Sequence, residues 1–471
     1  MLKKKKLLIL MTALTMSGGL VSVNTSTYAA GEYSGIKSPH FKPEYVPKDK
    51  AKALEYSKEH FTEWKKTLQR SHQEILDKIK VSSNEINKEL KEIYGDISKI
   101  ADMKFKKQIV DMDKMIKQRV NQITKKQTIY TYFTAQDLGY ENESKMMQDN
   151  NKLQFDEKKI DNIVTKFTYG NFTDLRIGNL MLFKGKSEER YVVQLELPKG
   201  TYLGHLGDGQ TILPLDYAMK IETDLIGQPK TSIITIDGKQ LIKVKAKLVG
   251  KDEIKKEVNK KEIALNGELK KKFGEEIKKD SIIKLHFKGM FPSYSVKTVE
   301  KAINDLINNV PSRILKDTIR ELESITFTDE KLIGEEGTTG FYSNSEIYLK
   351  TNHKGFFKQL EGVDLSRAFI HEMGHAIDDI LFSKTSLSPK FEQIYEREKG
   401  NLTSLVTHIN SETNERYATT NSEEFFAEIF KAIYSPDSKQ REAVKKEAPD
   451  AVEYIKNKIE EYIKISKENE S

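Results

Sequence analysis

Cysteine is absent from all 471 residues. That excludes a disulfide scaffold, an iron–sulfur protein, a thiol enzyme and any Cys-ligated zinc site. Any bound metal must rest on His, Asp, Glu or Tyr. No internal run reaches the 18 or so uncharged apolar residues that a membrane span needs. A dominant charge is lacking as well: 78 basic residues face 71 acidic ones, a formal +7. Four of the lysines, Lys3–Lys6, sit in an N-terminal segment without acids, and leaving them out brings the balance to about +3. Elsewhere Lys and Glu alternate along solvated faces instead of forming the basic stripe of a nucleic-acid binder. The hydrophobic fraction is only 37%, yet 20 Tyr and 21 Phe argue against disorder. The length supports two to four domains, each able to bury a core.

The N-terminus reads as a secretory signal. Lys3–Lys6 form the charged region, Leu7 to Val23 the apolar one, and Ala29 the best cleavage position, so residues 1–29 are expected to be a signal peptide. A secreted chain without covalent staples can unfold reversibly and thread through a pore. Residues 30–48, punctuated by Pro39, Pro43 and Pro47, read as a linker.

From 49 to about 127 the spacing is helical. Ala53, Tyr56, His60, Trp64 and Leu68 mark one buried face, continued by Ile75, Ile79, Ile86, Leu90, Ile93 and Ile97. From 128 to about 249 the period is two. Tyr191, Val193, Leu195 and Leu197 alternate with their neighbours, and Asp237-Gly238 joins two alternating runs as a hairpin. Residues 251–325 return to a helical pattern. A strand is expected over Glu346–Lys350, taken as a sheet edge, after a glycine-rich stretch from Gly334 to Gly340. Helices are then expected over 364–382, 388–400, 421–434 and 438–467.

Within the first of these helices, residues 370–375 contain His-Glu-x-x-His. Phe369, Ile370, Met373, Ala376, Ile377 and Ile380 form its buried stripe. One turn apart, His371 and His375 can reach the same ion. Glu372, rotated by about 100°, stands beside it, where a carboxylate can take a proton from water. A third ligand must come from elsewhere, since no histidine follows His375 at the metzincin spacing. The helix after Asn421 offers Glu424 and Glu428 at i, i+4; one can ligate and the other can orient a ligand histidine. Glu423 points away, and His408 is a rival third ligand. Asn421 or Ser422 could cap the helix.

Three stretches carry a resemblance to a known family: Phe369 to Asp379, Asn401-Leu402-Thr403-Ser404, and Tyr417 to Phe430. They resemble the catalytic domain of the anthrax-toxin-lethal-factor-like zinc peptidases, where a tyrosine precedes the zinc-binding glutamate by seven residues. The resemblance implies one Zn2+ held by His371, His375 and Glu424. It also implies Glu372 as general base and Tyr417 close to the metal, as oxyanion donor or weak ligand. Upstream, Ala51–Leu68, 101–140, Val192–Gly204 and 280–334 resemble ADP-ribosyltransferase-like toxin domains. The signature of an active transferase is missing. No arginine lies around Ile129–Phe133, no Ser-Thr-Ser in Thr173–Leu182, and Asp208-Gly209-Gln210 takes the place of Glu-x-Glu.

The expected fold is α+β: an inactive ADP-ribosyltransferase-like domain over 49–250, then a mostly helical zincin metallopeptidase domain over 251–471. The implied function is a secreted zinc endopeptidase toxin, extracellular and delivered into a host cytosol. Alternatives are an extracellular protease of surface or matrix proteins, and a catalytically dead binding component. The implied partners are a host protein substrate, a signalling protein being one class, and a toxin translocation component. Neither nucleic acid nor stable membrane insertion is expected.

Overall fold

The computed structural model describes residues 50–468 except 136, 138–168, 184–188, 225–228, 275–276, 278–280, 290–291, 331, 333–338, 354–357, 360–361 and 409–415. The expected signal segment and linker, and most of the glycine-rich stretch after Gly334, lie outside the described residues. All described residues belong to one compact unit, Lys42–Ser471.

Three helices open it: α1 (Lys50–Thr67), α2 (Arg70–Glu92) and α3 (Met103–Ile116). Trp64, Leu68, Ile79 and Leu90 are buried along them as expected. Tyr56 is not; it is 37% exposed, and Ser57 takes the buried place on that turn. Nine strands follow: β1 (Gln127–Thr134), β2 (Tyr169–Asn171), β3 (Ile177–Asn179), β4 (Glu189–Leu197), β5 (Gly204–Gly207), β6 (Gln210–Ile212), β7 (Tyr217–Ile221), β8 (Thr231–Ile236) and β9 (Lys239–Gly250). They form one sheet in the order β2-β7-β9-β4-β1-β3-β6-β5, with β8 paired to β9. Asp237 and Gly238 turn the β8–β9 hairpin at φ 48° and 76°, the two positive values a type I′ turn needs.

Gly250 ends β9 and precedes α4 (Lys251–Phe273). The stretch expected to be helical to residue 325 contains α5 (Pro292–Asn309) and α6 (Ser312–Glu321), but also β10 (Ile283–His286) and β11 (Ser324–Thr328). Both strands are short and flanked by Lys- and Glu-rich helices, so their period of two is swamped in a longer window. With β12 (Gly340–Ser343) and β13 (Glu346–Lys350) they build a second sheet in the order β10-β11-β13-β12. The strand Glu346–Lys350 is therefore internal, and Gly340–Ser343 is the edge. Asn344 and Ser345, both at positive φ, fold β12 back onto β13 in a tight turn.

Helix α7 (Gly362–Ile380) lies against β12, β13, α5 and α9 (Ser422–Ile433); α8 (Pro389–Glu398) packs beside α9. The helix expected over 438–467 is two, α10 (Ser438–Glu447) and α11 (Pro449–Glu468). Pro449 cannot continue a helix but suits its first position. The buried Glu398 carboxylate accepts from the backbone N–H of Asp450 and Ala451, 3.0 Å each, and so starts α11. Phe369, Ile370, Met373, Phe425, Phe426, Ile429 and Phe430 belong to one large apolar cluster, each buried side chain contributing about 1.5–3 kcal/mol.

Candidate metal centre

Two helices meet here because one of them has no side chain at the crossing. A Cβ on Gly374 of α7 would stand 3.2 Å from Cδ1 of Phe430 and 3.3 Å from Cα of Ala427 on α9. That close approach brings His371 and His375 up to the start of α9. Asn421 caps α9, its Oδ1 accepting from the backbone N–H of Glu424 at 2.8 Å, and so fixes where that residue's side chain begins. Ser422, the other expected cap, instead donates to Glu392 Oε1 at 2.6 Å.

Nε2 of His371 lies 3.2 Å from Nε2 of His375 and 3.2 Å from Oε2 of Glu424, and the third side of the triangle, His375 to Glu424, is 3.4 Å. Donors held at about 2.0–2.1 Å in a tetrahedral zinc site stand roughly 3.3 Å apart. The donor set therefore fits zinc in both chemistry and spacing. Among the described residues it is the one group of three or more His, Cys, Asp and Glu arranged to hold a metal.

Behind His371, Nδ1 lies 2.9 Å from Oε1 of Glu428. Glu428 is 3% exposed, and the Nζ of Lys431 is 2.5 Å from the same oxygen. Burial pushes His371 down, but hydrogen bonds to Glu424 and Glu428 outweigh it and raise the imidazole to about 10. Burial likewise pushes Glu424 up, and its bonds to His371 and His375 override that and hold it at about 2. Glu428 follows the same logic, its burial outweighed by Lys431 and His371, so its carboxyl is held well below the usual range. A cation bound by the histidines would compete with that proton for the same lone pair.

Glu372 is 6% exposed, and burial raises its carboxyl. It faces the edge strand: a Cβ on Gly340 would meet Glu372 Oε1 at 2.9 Å. The ring of Tyr417, in a short turn ahead of α9, is centred 5.8 Å from that of His371. Tyr417 is 44% exposed, and the partial burial of its hydroxyl end, with the charges of Glu424 and Glu372, pushes the phenol up. The space between these groups is a cleft of about 470 Å³, lined among others by Gly340, Tyr342, Asp379, Lys384 and Tyr417. Tyr342 donates to Asp379 at 2.7 Å across it.

His408, the rival ligand, is exposed, and its carbonyl accepts from the N–H of Tyr417 at 2.8 Å. Glu423 faces Lys384 at 3.9 Å. The contacts that make Gly340, Gly374 and Lys431 matter here leave no periodic mark in the sequence. A lysine inside the apolar run Phe425–Ile433 was the available signal. In the first sheet, Asp208 and Gly209, both at positive φ, make the β5–β6 turn, and the exposed Gln210 opens β6.

Residues 276–458 match the family described as Anthrax toxin lethal factor, N- and C-terminal domain, and residues 53–204 match the ADP-ribosyltransferase exoenzymes. Lethal factor of Bacillus anthracis is 29% identical over 298 residues, 58% of this chain and 34% of lethal factor. The chain thus spans about a third of that relative's length. Among solved structures, Plx2a, an ADP-ribosyltransferase toxin from Paenibacillus larvae, is 21% identical with a TM-score of 0.35, over 43% of this chain and 97% of its own. BECa, an ADP-ribosylating toxin of a C. perfringens binary enterotoxin, is 17% identical with a TM-score of 0.37, over 58% and 61%. The chain is α+β, ADP-ribosyltransferase-like in its N-terminal part and lethal-factor-like in its helical C-terminal part, as its motifs led us to expect.

Proposed function

We propose that this chain is a secreted, zinc-dependent endopeptidase of the toxin type, with an ADP-ribosyltransferase-like domain over 49–250 that no longer transfers ADP-ribose and a peptidase domain over 251–471. The observation that carries the reading is the triangle of His371, His375 and Glu424 at 3.2–3.4 Å with a buried Glu372 beside it. In that reading His371, His375 and Glu424 hold the ion. Zinc bound there would polarise a scissile carbonyl and acidify the attacking water.

The remaining chemistry belongs to the protein. Glu372 takes a proton from the attacking water and hands it to the departing amide nitrogen. Its raised affinity for protons suits it to both halves of that exchange. Tyr417 stays protonated, for the reasons given above, and donates a hydrogen bond to the developing oxyanion. Among the described residues no strand pairs with the outer side of β12, and an extended peptide added there would lay its backbone along the cleft beside Glu372.

The substrate is a host protein, a translocation component is a partner, and the ADP-ribosyltransferase-like part is a catalytically dead scaffold. In place of a second carboxylate after Asp208 stands Gln210, which cannot stabilise an oxocarbenium-like transition state or activate an acceptor. Among the described residues no helix is long and apolar enough to cross a membrane. A survey of new N-termini in host lysate, comparing the wild type with Glu372→Gln, tests the activity. Cleavages that vanish in the variant support it; identical patterns reject it.

A further inference from the structure

Lysine is almost never fully buried unless it is paired, yet Lys431 is 9% exposed on α9, one turn beyond Glu428. Its Nζ reaches Glu428 Oε1 at 2.5 Å, and that oxygen also lies 2.9 Å from Nδ1 of His371. The second oxygen, Oε2, is buried and meets no partner among the described residues. Nδ1 of His371, 2.9 Å from Oε1, makes no well-aligned hydrogen bond there, so Lys431 is the contact that holds the carboxylate beside the imidazole.

Lys431 also offsets part of the negative charge gathered there. Three carboxylates, Glu372, Glu424 and Glu428, converge on the site, the first and last of them buried. A divalent cation on neutral histidines brings two positive charges, and Lys431 brings the third. Without it the carboxylates outnumber the charge on the ion, and the two buried ones are poorly screened by water.

We infer that Lys431 is a positioning residue for the metal ligand His371: it clamps the Glu428 carboxylate against Nδ1 of that imidazole. This rests on the zinc peptidase reading. With Oε1 clamped, Nδ1 carries the hydrogen and Nε2, the atom facing His375 and Glu424, keeps its lone pair for the metal. Lys431 touches neither metal nor substrate. Replaced by an apolar side chain, it leaves Glu428 with the imidazole as its sole partner and free to swing onto its unpartnered oxygen.

The test uses the full zinc-loaded chain, with zinc release to a chelator and the imidazole ¹⁵N spectrum as readouts. Lys431→Met is expected to release zinc about tenfold faster, as loss of an outer partner of a ligand histidine does, and to mix the tautomers of His371. Lys431→Arg is expected to restore both. In a Glu428→Gln background, Lys431→Met should add nothing to the release rate, because both changes act through one carboxylate. Wild-type release with a single tautomer and merely a lower Tm, or full additivity with Glu428→Gln, would overturn the inference. Should Lys431→Met not fold, Lys431→Gln carries the same comparison. A wild-type chain that takes up no zinc at all would sink the peptidase reading instead, an outcome separate from any difference among the Lys431 variants.

Discussion

Gly374 and Phe430 touch so closely that a single methyl group on the glycine would stand 3.2 Å from the phenylalanine ring. Two helices far apart in sequence depend on that gap to bring His371 and Glu424 within 3.2 Å. Gly374→Ala should force α7 and α9 apart by a few tenths of an ångström and lower stability by about 1–3 kcal/mol, the usual effect of overpacking. Zinc affinity should fall with it. Chelator competition beside a thermal melt checks this; a stable variant with unchanged affinity would show that the crossing does not set the site.

Gly340 plays the matching part for Glu372. A Cβ there would stand 2.9 Å from Glu372 Oε1 and 2.9 Å from Cδ2 of Leu349, and it cannot avoid both. Gly340→Ala should displace the general base while leaving the metal ligands in place. The expected result is a fall in kcat on the order of a hundredfold with normal zinc content, measured on any peptide the wild type cleaves. Unimpaired kcat would remove Glu372 from the role given to it.

Acid should loosen the first helix. His205, 2% exposed on β5, has ring centroids of His60 and Tyr56 on α1 at 4.8 and 5.5 Å. Burial, then the charge of His60, lowers His205 from 6.5 to about 3. Glu59 is the acid that pulls the other way, on His60, and it is outweighed by burial. The sign follows directly: the folded state refuses a proton that the unfolded state accepts below pH 6.5. Stability is complete above that pH and is lost toward pH 3, by about 2 kcal/mol at pH 5. Trp64, the sole tryptophan, packs within van der Waals reach of Gly204, the neighbour of His205, so its fluorescence reports the event. His205→Gln should flatten the acid limb of that titration; an unchanged limb would place the acid-sensitive group elsewhere.

NAD offers an independent check on the first sheet. With Gln210 at the β5–β6 turn, the purified chain should hydrolyse NAD no faster than buffer. Robust turnover that disappears when Gln210 is changed would overturn the scaffold reading.

The pattern of apolar residues made the α7 and α9 faces legible, and with them His371, His375 and Glu424, because a helix places i and i+4 on one side whatever it packs against. The Asp237-Gly238 hairpin was legible for a similar reason: only certain residues tolerate two positive φ values in succession. Strand order was not. Nothing local to Glu346–Lys350 tells whether β12 will fold back over it, and Asn344-Ser345 is a weaker turn signal than Asp-Gly. Pro449 was the visible mark of the break between α10 and α11, but the apolar period runs on through it. Gly340, Gly374 and Lys431 matter through contacts between elements distant in sequence, which periodicity cannot see.

The proposed activity depends on one zinc ion held by two imidazoles on α7 and a carboxylate on α9. Its most direct test is the metal content of the purified chain after zinc reconstitution, wild type against Glu424→Ala. One zinc per wild-type chain is expected, with the variant losing most of it at equal free zinc. No stoichiometric zinc in the wild type, or full occupancy without Glu424, would contradict it.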